Sequence, residues 1–81
     1  MRVVSQNGDV DIPYEIAFLY LEGDDTQAYV MARVCDHKIC LASYSDMNRA
    51  KLEMVRILDN YNQGAKAIQF RADGKLISEK R

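Results

Sequence analysis

Residues 45–64, SDMNRAKLEMVRILDNYNQG, decide the fold class, because they form the one stretch with helical periodicity. Met47, Ala50, Met54, Ile57, Leu58 and Tyr61 recur at helical spacing. At 100° per residue they occupy a stripe about 100° wide, the width of a core-facing helix surface. No Pro or Gly interrupts 46–63. Ser45 suits an N-cap, Asp46 suits the positive end of the helix dipole, and Gly64 stands where a left-handed residue ends a helix. The expectation is one amphipathic helix of about 17 residues, roughly 25 Å long.

Upstream of it the chain reads as strand. Runs at 16–21 (IAFLYL), 27–35 (QAYVMARVC) and 39–44 (ICLASY) are separated by turn clusters at 22–26 and 36–38. At the start, 2–6 and 9–12 flank Asn7-Gly8, the pair favoured in type I′ hairpin turns, and Pro13 closes the second strand. After the helix, 67–71 and 75–78 flank a second such cue, Asp73-Gly74. Short connections make neighbouring strands antiparallel. The predicted fold is a single α+β domain over 1–81, in the order βββββαββ. An antiparallel sheet of about five to seven short strands, with two hairpins, packs against the single helix.

One helix covers one face of a sheet. A wet second face should show alternation of apolar and polar residues, and the central runs do not. Ile16, Phe18 and Tyr20 oppose Ala17, Leu19 and Leu21; Tyr29 and Met31 oppose Ala28, Val30 and Ala32; Ile39 and Leu41 oppose Cys40, Ala42 and Tyr44. The pattern predicts a second covered face, met by another copy of the chain or by a partner. Size points the same way, because a domain of roughly 60–80 residues buries only about 60% of its unfolded surface. On the helix, Leu52 projects away from the core stripe between Arg49 and Arg56, and these three form a candidate partner contact.

Composition bounds the rest. At 48% hydrophobic and 28% charged, the chain is neither a disordered tail, a collagen-like fibre nor a disulfide scaffold. Its 11 basic and 12 acidic residues give a net charge of −1, which argues against a strongly basic nucleic-acid binder. The charge is uneven, however: residues 1–40 carry a net −4 and residues 41–81 a net +3. Arg49, Arg56, Lys66, Arg71 and Lys75 therefore support an alternative reading as a nucleic-acid-binding accessory protein. No apolar run approaches the ~18 residues that cross a bilayer. Residues 1–15 lack the apolar core of a signal peptide, and two cysteines suit a reducing compartment, so a cytoplasmic location is expected and no membrane partner.

Catalytic and metal chemistry find little support. Cys35, His37 and Cys40 flank a turn, but zinc takes four ligands and the sequence holds no second pair. No metal or cofactor is expected. His37 is the one histidine and no nucleophile motif accompanies it. The glycines, at 8, 23, 64 and 74, form no phosphate loop. A non-enzymatic protein is expected. If it takes a small ligand, Tyr29, Arg33 and Arg71 are the candidate residues, since an aromatic plane with guanidinium groups suits a nucleotide.

The opening Met1-Arg2-Val3-Val4-Ser5-Gln6-Asn7-Gly8, followed by Pro13-Tyr14-Glu15, by Tyr44-Ser45 and by Ala50-Lys51, resembles a group of small proteins of Gram-positive bacteria and their phages and prophages. The resemblance implies a mobile-element origin and, by analogy of origin, a binding role inside the host cytoplasm. By that analogy the chain is expected to antagonise a host defence system by blocking a host protein or by sequestering a nucleotide signal. It carries no catalytic residues onto this chain. A structural or regulatory homodimer is the remaining alternative.

Overall fold

A computed structural model describes residues 1–73 of the chain. The element order is β1 (Arg2–Val4), β2 (Asp11–Pro13), a 3-10 turn (Tyr14–Ile16), β3 (Phe18–Asp24), β4 (Gln27–Val34), β5 (His37–Tyr44), α1 (Met47–Asn62) and β6 (Ala67–Gln69). The α+β class agrees with the sequence, as does the one α-helix found among the described residues. Of the second hairpin, expected at Asp73-Gly74 with 75–78, Gly74 and the strand 75–78 lie outside the described residues.

The strands form two three-stranded sheets, in the orders β2-β1-β6 and β3-β4-β5. Among the described residues all pairs are antiparallel except β1 and β6, which run parallel with Val3 beside Ile68. A single antiparallel sheet is therefore corrected to two sheets with one parallel pair. Turn cues fix only the pairing of consecutive strands. The helix carries the chain away from β5 and returns it to β1, and no local signal announces that crossover.

Turn chemistry departs from the expected type at Asn7-Gly8. Only Gly8 has positive φ, at 85°, whereas a type I′ turn needs it at both central residues. The Gly8 N–H donates to Ser5 O at 3.0 Å, and Ser5 Oγ accepts from Val10 N–H at 3.1 Å. Buried Ser5 thus holds the loop from inside. Between β4 and β5 the turn falls at Cys35-Asp36, one residue earlier than expected, with Cys35 at φ 56°. Gly23 has φ 105°, and a Cβ there would stand 2.1 Å from Gln27 O, so glycine is required.

The core unites both sheets with the helix. Val3, Ile12 and Ile68 from the first sheet join Ala28, Val30 and Ala32 from β4, Leu41, Ala42 and Tyr44 from β5, Ala50 and Ile57 from α1, and Phe70. On β5 a bulge shifts the register between Val30 and Met31, so Val30 faces Ala42 while Met31 faces Cys40. The extra residue, Leu41, turns inward with Ala42, its neighbour. β5 therefore buries Ile39 partly and Leu41, Ala42 and Tyr44 fully, and it turns Cys40 and Ser43 outward. The apparent two-faced pattern of 39–44 is this bulge rather than a second apolar face.

Asp46, not Ser45, caps the helix: its Oδ1 accepts from Asn48 N–H at 2.8 Å. Gly64 takes the left-handed conformation at φ 84°, as expected of a helix stop. The buried stripe is rotated from the expected one. Glu53 is buried, whereas Leu58 is 46% exposed. Glu53 is three residues after Ala50 and four before Ile57, so it sits in the middle of the true core face.

Candidate binding face

The meander β3-β4-β5 sets its outward side chains in three cross-strand rows. Phe18 stands beside Arg33 and Arg33 beside Lys38; Tyr20 beside Met31 and Met31 beside Cys40; Glu22 beside Tyr29 and Tyr29 beside Ser43. The alternate residues of β4, Ala28, Val30 and Ala32, have no exposure and face the helix. Alternation on β3 is equally clear: Leu19 and Leu21 pack on the core, while Phe18 remains 65% exposed. The outer face is thus basic at one end, apolar through its middle and acidic at the other.

Its parts touch. The Phe18 and Tyr20 rings lie 5.8 Å apart at 32°. Lys38 Nζ reaches across the face to close an ion pair with Glu22 Oε2 at 3.1 Å. The hydrogen bond that Lys38 donates to Glu22, and then the negative charge of Glu22, raise the proton affinity of Lys38. Both groups are about half exposed, so the pair organises the face more than it stabilises the fold. The Tyr20 hydroxyl is covered and has no hydrogen-bond partner among the described residues.

The candidate ligand residues are dispersed. Tyr29 and Arg33 share the outer face of β4 but are four residues apart, about 13 Å along a strand. Arg71 follows β6, and its backbone is committed to the fold. Its N–H donates to Glu53 Oε1 at 3.0 Å, and its C=O accepts from the Tyr44 hydroxyl at 2.6 Å and from Gln6 Nε2 at 3.0 Å. An open cleft of about 400 Å³ is lined by Gln6, Gln27, Ser43, Tyr44, Ser45, Ala72 and Asp73, and by none of those three residues.

The helix candidates divide. Leu52 is 64% exposed and is continued by exposed Val55 and Leu58. Arg56 is held inward: its Nε and Nη2 donate to Glu53 at 3.1 and 2.8 Å, and Nη2 also donates to Gln69 O at 2.7 Å. Burial, the largest influence on Glu53, raises its pKa. Hydrogen bonds from Arg56 and from Arg71 N–H, with the charges of both arginines, outweigh it and leave the carboxyl below its ordinary value. Arg49 is half-buried.

Sequence reasoning missed Gln6 and Glu53. Gln6 Nε2 donates to Ser43 O and Arg71 O, Oε1 accepts from Ser43 N–H, and the Gln6 backbone N–H donates to Leu41 O. It stitches the first sheet to the edge of the second. Nothing in the local sequence marks that glutamine, whereas the place of Glu53 between Ala50 and Ile57 was a readable signal. Cys35 and Cys40 are free and exposed, and among the described residues no group of three or more His, Cys, Asp or Glu could hold a metal ion. No described helix is long and apolar enough to cross a membrane. Compared with protein-family models, curated proteins and solved structures, the chain matches none.

Proposed function

We propose that this is a non-enzymatic binding protein of the phage type, which antagonises a host defence system in the host cytoplasm by binding a host protein through the outer face of the meander. The observation that carries the reading is an apolar sheet face on the side away from the helix. Phe18, Tyr20, Tyr29 and Met31 lie there between basic and acidic ends. Isolated exposed apolar residues need no explanation, but a contiguous set rimmed by charge marks an interaction surface. Tyr, Phe, Met and Arg are the residue types enriched in such surfaces.

A protein target is favoured over a nucleotide. A nucleotide asks for converging groups in a concave site, and Tyr29, Arg33 and Arg71 do not converge. The test is phage plaque formation on a bacterium whose defence system is active, with and without the protein expressed. Plaque numbers should rise with the protein, and fall back with Tyr29→Glu or Met31→Lys but not with Lys51→Ala. Retained activity in both face variants, at normal protein levels, contradicts the reading.

A further inference from the structure

A sheet edge presents backbone N–H and C=O groups with no strand beside them, and it attracts another strand unless something blunts it. Among the described residues the two sheets have four edges, and three are blunted. β2 is three residues long, ends in Pro13 and carries Asp11, ion-paired with Arg2. At β6, Arg56 caps Gln69 O, and just beyond the strand Glu53 takes Arg71 N–H. β5 is bulged at Leu41 and occupied by Gln6, whose backbone and side chain bond to Leu41 and Ser43.

β3 is the fourth. It is seven residues long, and its Phe18-Leu19-Tyr20-Leu21 stretch contains no charge, proline or bulge. Among the described residues no backbone hydrogen bond leaves its outer edge. We propose that β3 pairs with β3 of a second copy of this chain, antiparallel about a two-fold axis at Tyr20, so that two meanders form one six-stranded sheet.

Charge sets the direction. Arg33 and Lys38 stand in the row of Phe18, while Glu22 and Asp24 stand at the other end of β3. Parallel pairing would bring acid to acid and base to base. Antiparallel pairing brings Glu22 of the second copy beside Phe18, in the row that holds Arg33. Backbone geometry sets the register. Gly23, at φ 105°, ends the regular stretch, which leaves five residues centred on Tyr20. That centre puts Tyr20 beside Tyr20 of the second copy and each Phe18 diagonal to it, a run of four rings on one face. The contact is self-complementary and closes as a dimer.

The test uses the full chain with Cys35→Ser and Cys40→Ser, to which Tyr20→Cys or Glu22→Cys is added. Across the axis the two Tyr20 Cα atoms would lie about 4.5–5.5 Å apart, within disulfide reach. The two Glu22 positions would be offset by four residues, about 13 Å. Mild oxidation should give a disulfide dimer for Tyr20→Cys and none for Glu22→Cys, while Phe18→Cys with Glu22→Cys should cross-link. Light scattering of the unaltered chain should report a dimer, and Tyr20→Lys should weaken it at least about tenfold by setting two like charges side by side. Circular dichroism establishes that each variant is folded. A strict monomer, cross-linking through Glu22→Cys but not Tyr20→Cys, or a monomer that pairs β3 only with another protein would each overturn the proposal.

Discussion

The side-chain amide of Gln6 pairs with both main-chain groups of Ser43: Oε1 accepts from its N–H at 3.1 Å and Nε2 donates to its C=O at 3.1 Å. A side chain here does the work of a strand. It joins the first sheet to β5, and through Arg71 O it also holds the segment after β6. Gln6→Ala should lower stability by about 1–3 kcal/mol, since it strands partly buried backbone groups. Gln6→Glu should be worse, because a carboxylate faces two carbonyls to which it cannot donate. Urea denaturation of both variants checks the order.

Glu53 makes acid stability specific. Its folded-state pKa lies below the ordinary glutamate value of 4.5. A depressed carboxyl contributes stability that is complete above the unfolded value and is lost as pH falls through the folded one. Glu53→Gln should therefore destabilise the protein clearly at pH 7 and progressively less below about pH 4.5. Denaturation midpoints measured from pH 7 to pH 3 check this; a constant gap would contradict it.

Tyr44 carries the opposite sign. Burial first, then the negative charge of Glu53, push its hydroxyl well above the ordinary tyrosine value. Its folded form keeps the proton longer than the unfolded chain does, so stability falls as pH rises past the ordinary value of 10. Ultraviolet titration should show a tyrosine signal, that of Tyr44, appearing only on unfolding. Tyr44→Phe should remove that signature and cost about 1 kcal/mol for the lost bond to Arg71 O.

The phase of the helix is testable by a pair of substitutions. Ile57→Ala removes a fully buried side chain and should cost about 2–5 kcal/mol. Leu58→Ser, at a 46% exposed position, should change stability by no more than about 0.5 kcal/mol. Thermal melts of the two variants compare them directly.

Much of this was legible in the residues. The amphipathic stretch predicted one helix, Gly64 its stop, and β-rich runs the meander, because each depends on contacts within a few residues. What escaped depends on distant partners. The bulge at Leu41 swaps the parity of β5 midway, so alternation read at face value assigned Ala42 and Tyr44 to the wrong side of Leu41. The parallel pairing of β1 with β6 joins segments more than sixty residues apart. Of the outer face, Phe18, Tyr20, Tyr29 and Met31 were visible as the second apolar parity of β3 and β4. A helical wheel sets Arg56 beside Leu52 on the outward side and says nothing of Glu53 and Gln69, to which its guanidinium donates.

Amide hydrogen exchange at high and low protein concentration tests the central claim most directly, the claim that β3 is an open edge built for association. The β3 amides not bonded to β4 should be protected in concentrated protein and should exchange freely on dilution, while β4 amides stay protected throughout. β3 protection that is complete at every dilution, or absent at every concentration, would contradict the account.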